Sequence, residues 1–347
     1  MADKKETVEK KPQTLEQIVA ELNKELKLDS IQVIGSSKTL AMPRLSTGSL
    51  TYDICVGGGW AIGRHNHISG IQSSGKSTVS LLTVKEYQKI GDKRATLIVD
   101  SEYAFDRNYA EKLGVDLKKV IIIQPDHLTE GHDVLMGLLK RDAIGLFIVD
   151  SIAALLPKSV IENEADASNI GKHAQAIGNM FKISNSYVGK QLVTALWINQ
   201  IRDQIGGYGG GTTIPGGKAQ GFYASIMIDV FRGSKVENTD GTFTNRGKIR
   251  VTKNKTAPPY AEGEYTMEHG SGINVSEEVL DWGTKCNVLY KKGHSYYYDE
   301  TFVNDPEKNK DHIFLGKSKS DCKQFLDENL EFRKVLYDKI LETYLNK

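Results

Sequence analysis

The sequence predicts an α/β fold with a mainly parallel central sheet covered by helices on both faces. Between residues 63 and 229, short apolar runs alternate with segments of helical period, which is the pattern of consecutive βαβ units. A glycine-rich turn directly follows one of these runs and opens a helix. The chain of 347 residues is long enough for one large domain with appendages.

The first element is an amphipathic helix. Thr14 and Gln17 have the spacing of a capping box, and apolar residues then recur at helical period as far as Leu28. The apolar stripe consists of Leu15, Ile18, Val19, Leu22 and Leu26. The partner of this stripe is either the protein's own core or a neighbouring subunit.

Six apolar runs predict the strands of the sheet: "HNHISG", "RATLIVDSE", "KVIIIQ", "IGLFIVDS", "LVTALWINQ" and "ASIMIDVF". Helices are predicted between them over residues 76–90, 108–113, 131–140 and 168–187. The next two segments, "GKIRVTKNK" and "GEYTMEHG", alternate in the manner of antiparallel edge strands.

The pattern of predicted helices and strands changes near residue 274. A helix "SEEVLDWGTKCN", a hairpin "VLYKKGHSYYYDE" and two further helical segments follow. We therefore predict an N-terminal helix and linker over residues 1–38, a large α/β core over 39–273 and a small α+β domain over 274–347.

Charge and cysteine content limit the function classes. Lys plus Arg number 45 and Asp plus Glu 44, so no global positive field marks a nucleic-acid-binding protein, and a polyanion would have to bind at local sites. Cys55, Cys286 and Cys322 are widely spaced without a CxxC pair, which argues against a zinc site or a disulfide framework. No apolar run reaches the roughly 18 residues of a membrane span, and we expect a soluble, cytoplasmic protein with no membrane partner.

The glycine-rich turn "GIQSSGKS", residues 70–77, matches the GxxxxGK[ST] phosphate-binding pattern between a strand and a helix. Its backbone amides can converge on phosphates at the helix N-terminus, Lys76 can reach the β and γ phosphates of ATP, and Ser77 can ligate Mg²⁺. An accidental glycine-rich turn is the alternative, which the flanking strand and helix disfavour. The predicted nucleotide ligands of this segment are Gly70, Ser73, Ser74, Gly75, Lys76, Ser77 and Thr78.

Three strand ends carry polar side chains suited to phosphate hydrolysis. Asp150 follows "LFIV" and is the candidate second Mg²⁺ ligand, although a strand-end Asp can also be a helix cap. Glu102 follows "LIVDS" and is the candidate base that activates water, with a surface glutamate as the alternative. Gln200 ends "LWINQ" and either senses the γ-phosphate or closes a turn.

Ordered motifs along nearly the whole chain resemble the bacterial RecA recombinase family, including its phage-encoded members. The matching segments are "STGSLTYDICVGGG", "SGIQSSGKST", "LIVDSEYAFDRNYAEKLGVD", "QPD", "FIVDSIAALLPKSVIENE", "INQIR", "GGKAQGFYAS", "VTKNKTAPPY" and "GSGINVSEEVLDWG". The resemblance implies a RecA-like fold and an ATP-driven helical filament on DNA. Such a filament pairs a single strand with a homologous duplex and exchanges strands.

The resemblance also implies further site residues. Asp106 and Tyr109 match positions that hold adenine, with Tyr109 stacking on the base. Lys253 and Lys255 match a pair that reaches the nucleotide of the neighbouring subunit, as an arginine finger does in trans. Without the family, "KNK" would be interpreted as a solvated basic turn. Loading proteins and single-strand-binding proteins are additional candidate partners.

The family's two DNA-facing loops correspond to residues 162–175 and 202–217. The second contains seven glycines between residues 206 and 217, and it is expected to be mobile in the free protein and ordered on DNA. The predicted contacts to single-stranded and double-stranded DNA are Lys172, His173, Gln175, Arg202, Tyr208, Gly216, Gly217 and Lys218.

The chain departs from the family at several of these positions. Gln175 stands where the first loop ends in an arginine, Lys218 and Gly221 replace a polar and a basic residue, and one residue is missing near Tyr208. No acidic tail follows "LETYLNK", so weaker self-inhibition is expected. The leading hypothesis is a DNA-dependent ATPase that catalyses strand exchange. The alternatives are a ring-shaped DNA helicase with the same core and a nucleotide-gated assembly switch.

Overall fold

The computed structural model describes residues 13–28, 31–34, 42–162, 168–203, 212–213, 215–237, 243–268, 270–298 and 313–346. The chain divides into two compact units, Met1–Met42 and Pro43–Lys347. No helix in these ranges is both long enough and apolar enough to cross a membrane.

The first unit contains helix α1, Leu15–Glu25. Thr14 caps it by accepting a hydrogen bond from the backbone of Gln17, whose side chain accepts one from the backbone of Thr14, so the predicted capping box is confirmed. Asn23 makes two hydrogen bonds to the backbone of Ile31 and holds the segment after the helix. The apolar stripe of α1 is exposed at Leu15, Ile18, Leu22 and Leu26.

The second unit contains the remaining elements. Its helices are α2 Leu50–Val56, α3 Lys76–Lys89, α4 Arg107–Leu113, α5 Leu128–Lys140, α6 Lys158–Ile161, α7 Ser168–Lys190, α8 Ala219–Tyr223, α9 Val275–Lys285, α10 Lys319–Glu328 and α11 Leu330–Leu345. Its strands are β1 Arg44–Leu45, β2 Trp60–Ala61, β3 His65–Gly70, β4 Ala95–Asp100, β5 Val120–Ile123, β6 Ile144–Asp150, β7 Thr194–Gln200, β8 Arg202–Asp203, β9 Thr212–Thr213, β10 Ala224–Glu237, β11 Phe243–Asn254, β12 Glu262–Glu268, β13 Gly272–Ile273, β14 Leu289–Lys292, β15 Ser295–Tyr298 and β16 Ile313–Gly316.

Nine strands form the central sheet in the order β13-β12-β11-β10-β3-β7-β6-β4-β5. The six strands from β10 to β5 are parallel to one another, and they are the six apolar runs of the sequence. Strands β11, β12 and β13 extend the sheet in antiparallel fashion. The predicted α/β fold with a mainly parallel sheet is confirmed.

Each face of the sheet has its own hydrophobic core. Along β6, Leu146 and Ile148 belong to one core, whereas Phe147 and Val149 belong to the other. Successive strand residues point to opposite faces, so a continuously apolar strand requires helices on both sides. A third core joins the C-terminal helices and strands to Leu50 and Ile54 of α2, and the boundary near residue 274 stays a prediction.

Helix α2 and strand β16 are among the elements that were not predicted. Helix α2 is buried at every position from Leu50 to Val56, so it has no solvent-exposed face and no amphipathic period to mark it. Ser49 caps its start and Gly57, with φ +85°, ends it. Strand β16 adds a third strand to the predicted C-terminal hairpin β14–β15.

Candidate nucleotide-binding site

Four neighbouring parallel strands end at one edge of the sheet. Gly70 of β3 is in register with Gln200 of β7, and Asp150 of β6 is in register with Asp100 of β4. The carboxyl ends of parallel strands share an edge, so the residues that follow these strands converge there. The sequence separates them by up to 130 positions, and the topology brings them together.

The phosphate-binding turn connects β3 to α3. Gly75 precedes the helix with φ +92°, and Ser73 also has a positive φ of 59°. A Cβ at Gly70 would lie 2.4 Å from the carbonyl oxygen of Val230 and 2.8 Å from Ser74 Oγ. The turn is therefore too tight for a side chain at Gly70, and its amides lead into the N-terminus of a 14-residue helix.

Lys76 is folded over this turn. Its buried side chain donates hydrogen bonds from Nζ to the carbonyl oxygens of Gly70 at 3.0 Å and Ile71 at 2.8 Å. Burial lowers the pKa of Lys76, whereas the charges of Asp150 and Glu102 raise it. A phosphate would be a stronger partner for this ammonium than two neutral carbonyls.

Ser77 and Asp150, the two candidate metal ligands, lie in contact beside the turn. Ser77 Oγ donates to Asp150 Oδ2 at 2.9 Å. Burial raises the pKa of Asp150 to about 6, an effect that the charge of Glu102 increases and the Ser77 hydrogen bond opposes. The described residues contain no cluster of three or more His, Cys, Asp or Glu side chains suited to a metal. The pair fits Mg²⁺, which commonly keeps water and phosphate oxygens in its remaining positions.

Glu102 and Gln200 are in direct contact. Glu102 Oε1 accepts a hydrogen bond from Gln200 Nε2 at 2.7 Å and another from the hydroxyl of Ser151. Ser101 and Ser151 exchange two hydrogen bonds, with lengths of 2.7 and 2.9 Å, which tie the loops after β4 and β6 together. The candidate water-activating carboxylate and the candidate γ-phosphate sensor therefore lie at one point.

A cavity of about 520 Å³ lies beside the turn, within the usual size range of ligand pockets. Asp106, one of its lining residues, caps α4 by accepting from the backbone N–H of Tyr109 at 3.0 Å. The hydroxyl of Tyr109 is 3.0 Å from Thr78 Oγ1, so the predicted adenine-side residues adjoin the phosphate turn. The lining residues that were predicted are Ser73, Ser74, Gly75, Lys76, Ser77, Thr78, Asp106 and Tyr109.

The cavity has a second wall that was not predicted. It consists of Asn108, Lys112, Asn245, Met267, Glu268 and Gly270. Asn108 and Lys112 belong to the same helix as Tyr109, and helical spacing could have indicated them. The others come from β11, from β12 and from the turn after β12, where only the antiparallel register places them and no motif marks them.

An unsatisfied hydroxyl supports the fit of a phosphorylated ligand. Ser74 is 3% exposed, and its Oγ has no hydrogen-bond partner within the described part of the chain. Its carbonyl oxygen accepts from the hydroxyl of Tyr265 at 3.0 Å, which fixes the turn from behind. Because a buried unsatisfied hydroxyl is costly, a phosphate oxygen in this turn would stabilise it.

The side chains of Lys253 and Lys255 contact helix α8. Lys253 donates to the carbonyl oxygen of Gly221, and Lys255 donates to that of Phe222 at 3.1 Å. Lys253 is in register with Met227, which pairs with His67, three residues before the turn begins. That spacing is about 10 Å along a strand. Among the hydrogen bonds of the described residues, none joins either lysine to the phosphate turn of its own chain.

The first predicted DNA loop is shorter than expected, because α7 begins at Ser168. Lys172 and Gln175 are exposed on the first turns of this helix. His173 is 8% exposed, and its Nε2 is 3.2 Å from the carbonyl oxygen of Ile152, so it faces inward. Residues 163–167 lie outside the described residues.

The second predicted loop is described only at its two ends. Arg202 pairs with Thr213 in a short antiparallel ribbon of β8 and β9, while residues 204–211 and 214, including Tyr208, lie outside the described residues. Gly216 and Gly217 have φ values of +89° and +76°, and Lys218 is exposed. A Cβ at Gly217 would lie 2.7 Å from that of Ala174, so the end of this loop packs on α7 near the first loop. The predicted mobility and ordering on DNA stay predictions.

Comparison with known proteins identifies the family of this chain. The model of the RecA N-terminal domain matches residues 13–274. Protein RecA of Clostridium tetani is 34% identical over 96% of this chain and 92% of its own length, and Protein RecA of Bacillus subtilis is 32% identical over 95% and 91%. Among solved structures, the RadB recombinase has a TM-score of 0.51 at 19% identity and covers 66% of this chain and 98% of its own, a similarity of fold. The chain therefore belongs to the RecA family.

Proposed function

We propose that this protein is a DNA-dependent ATPase that forms filaments on single-stranded DNA and catalyses homologous pairing and strand exchange in recombination and DNA repair. One observation carries the proposal. In a chain of the RecA family, Lys76, the Ser77–Asp150 pair and the Glu102–Gln200 pair meet at one edge of the sheet. These are the groups that phosphoryl transfer to water requires.

In the proposed reaction, the turn and Lys76 hold the phosphates of ATP, and Asp106 and Tyr109 lie on the side of the adenine. Ser77 and Asp150 would hold Mg²⁺, which neutralises phosphate charge when bound. Glu102 orients the attacking water and accepts its proton. Since Glu102 Oε1 accepts hydrogen bonds from Gln200 and Ser151, a γ-phosphate that attracts Gln200 would free this oxygen for water.

The proposed filament supplies the rest of the site. Lys253 and Lys255 bind backbone carbonyls in their own chain, and in the filament they would instead reach the γ-phosphate on a neighbouring copy. The exposed stripe of α1 supports an assembly role, because a helix with such a stripe requires a partner surface. DNA would bind along Lys172, Gln175, Arg202, Lys218 and the glycine stretch. Backbone N–H groups can supply much of its phosphate binding, which suits a chain of formal charge +1.

The alternatives have less support. The relatives reported above are named RecA or recombinase, and no observation favours a ring-shaped helicase or an assembly switch without strand exchange. Loading proteins, single-strand-binding proteins and a cytoplasmic location belong to the proposal. The cysteines are consistent with that location, since all three lie in the described ranges and none forms a disulfide there.

Strand exchange tests the proposal. The protein is incubated with ATP, Mg²⁺, a circular single strand and either a homologous or a heterologous linear duplex, and its complexes with the single strand are imaged. We expect open filaments that lengthen with the strand and joint molecules with the homologous duplex alone. Closed rings with directional unwinding, or filaments without joint molecules, would contradict the proposal.

A further inference from the structure

The sequence offers no reason why a buried glutamine should follow the glycine stretch. Gln220 lies in the short helix α8 and is 2% exposed. A buried amide must satisfy two donors and an acceptor to avoid a large desolvation penalty. Its hydrogen bonds therefore indicate what it holds together.

Gln220 makes contacts in two directions. Its Oε1 is 2.7 Å from His67 Nε2 on β3 and accepts from Asn199 Nδ2 on β7 at 3.0 Å. Its Nε2 donates to the carbonyl oxygens of Pro215 and, at 3.4 Å, Gly217. The amide orientation is unambiguous, because Nε2 faces two carbonyls that can only accept. One side chain thus connects two strands of the sheet with the end of the glycine stretch.

His67 suits this connection when it is neutral. It is fully buried, and burial lowers its pKa to about 4. Because Gln220 Oε1 can only accept, its hydrogen bond with His67 requires the proton of the neutral ring to be on Nε2. His67 Nδ1 has no partner among the described residues. The imidazole is thus a fixed donor in the sheet and anchors the glutamine.

Asn199 extends the connection to the nucleotide site. It is fully buried, its Oδ1 accepts from the backbone N–H of Gln200 at 2.9 Å, and its Nδ2 donates to the carbonyl oxygen of Pro215 at 2.7 Å. Gln200 in turn contacts Glu102. The side chain of Asn199 thus contacts Gln200, Gln220 and Pro215 at once. A displacement of Gln200 toward a γ-phosphate therefore acts through Asn199 on Gln220 and Pro215.

The far end of α8 is held by the two lysines, through the carbonyl oxygens of Gly221 and Phe222. Gly216 is packed so closely that a Cβ there would lie 2.7 Å from Gln220 Nε2. Residues 215–217, the stem of the glycine stretch, lead into α8. The stem and α8 are thus bound at one end to the strand of Gln200 and at the other to Lys253 and Lys255. Rearrangement at either end would move the same segment.

We infer that Gln220 is a positioning residue. With Asn199 and His67, it transmits the state of the nucleotide at Gln200 to the stem of the glycine stretch. In this way it sets the affinity of the protein for DNA. The inference rests on the proposed function, because it assigns a route to nucleotide-dependent DNA binding. It also predicts that the stem responds to nucleotide before DNA is present.

The test compares Gln220→Met with Gln191→Met. Gln191 is half-buried and donates from Nε2 to the carbonyl oxygen of Leu139 at 2.8 Å, remote from the loop, so its replacement removes a similar amide without touching the network. The affinity for a fluorescent thymine oligonucleotide is measured with a non-hydrolysable ATP analogue and with ADP. The ratio of the two affinities is the readout, since general destabilisation would weaken both alike.

We expect Gln220→Met to lower this ratio about tenfold, the effect of losing one well-formed buried hydrogen bond, and Gln191→Met to leave it unchanged. A wild-type ratio in Gln220→Met, or an equal loss in Gln191→Met, would overturn the inference. If the wild type itself shows no nucleotide-dependent DNA binding, the proposed function fails instead.

A second measurement needs no variant and applies even if Gln220→Met does not fold. Amide hydrogen exchange of the wild type is compared with and without the ATP analogue, in the absence of DNA. Residues 216–223 should change their exchange rates by several-fold on nucleotide binding. Unchanged rates in this segment, with protection appearing in the phosphate turn, would contradict the route through Gln220.

Discussion

The phosphate turn and the lysine pair both carry predicted nucleotide chemistry, but they differ in how complete they are. At the turn, Ser77 of α3 contacts Asp150 at the end of β6, and Glu102 after β4 contacts Gln200 at the end of β7, so side chains from distant parts of the sequence interact within one chain. The described hydrogen bonds of Lys253 and Lys255 go to main-chain carbonyls of α8. The end of a helix is a suitable place for cations, and no hydrogen bond or ion pair within the described residues joins either lysine to an anion.

The difference indicates which part of the reaction the fold alone can support. Parallel strands assemble the phosphate turn, the proposed metal ligands and the proposed water-activating carboxylate in a single copy. The lysine pair instead presents two cations whose proposed partner is the phosphate of another copy. Nucleotide binding should therefore need one chain, whereas hydrolysis should need an interface.

The largest effect is expected at the phosphate turn. Lys76→Ala removes the buried ammonium and should abolish ATP hydrolysis and ATP-dependent filaments, a loss of about 1,000-fold or more in rate. A phosphate-release assay and imaging with single-stranded DNA measure this. Lys89→Ala, at an exposed position of the same helix, should behave like the wild type. Normal strand exchange by Lys76→Ala would exclude the proposed mechanism.

The next effect tests the other side of the comparison. Lys253→Ala with Lys255→Ala should lower the hydrolysis rate on DNA by about 100-fold or more, since cations supplied in trans stabilise the transition state. Affinity for nucleotide in the DNA-free protein should stay close to that of the wild type. Lys248→Ala on the same strand, where the lysine pairs with Glu262 at 2.6 Å, is the control. A large loss of nucleotide affinity in the double variant would place the pair in its own chain's site.

A smaller effect separates catalysis from binding. Glu102→Gln keeps an oxygen that accepts from Gln200 and Ser151 but removes the base, so the hydrolysis rate should fall about 100-fold. DNA binding with ATP should persist and last longer. Glu111→Gln at an exposed site on α4 serves as the control. Rapid hydrolysis by Glu102→Gln, measured by phosphate release, would assign the base elsewhere.

The smallest effect concerns stability. The pKa of Asp150 is raised to about 6 from 3.8, so ionisation of this group costs free energy in the folded state, and the unliganded protein gains stability as the pH falls from about 6 toward 4. Asp150→Asn should raise the free energy of unfolding at pH 7 by on the order of 1 kcal/mol and weaken Mg²⁺-dependent nucleotide binding.

Urea unfolding at pH 7 and pH 5 tests this sign. The advantage of Asp150→Asn over the wild type should shrink at pH 5, where the wild-type carboxyl is largely protonated. Asp133→Asn, at a 72% exposed position, should show neither effect. A destabilised Asp150→Asn at pH 7 would mean that the carboxylate is needed by the fold.

Sequence patterns predicted the parts of the site that follow from strand order. Asp150 and Gln200 come directly after long apolar runs, and once those runs form a parallel sheet their ends must share an edge. Asn245 and Met267 were missed because the antiparallel register that brings them to the cavity leaves no local signal. The contacts of Gln220 were missed because its partners His67 and Asn199 lie on two other strands, 153 and 21 residues away, and no local pattern marks them.

The most direct test of the incomplete interface mixes two impaired variants. Lys76→Ala retains the lysine pair, and the double variant Lys253→Ala with Lys255→Ala retains the phosphate turn. In a mixed filament, some interfaces place the intact lysine pair of Lys76→Ala against the intact phosphate turn of the double variant. We predict that the mixture hydrolyses ATP on single-stranded DNA much faster than either variant alone. Mixed filaments that form and remain inactive would contradict a site shared between copies.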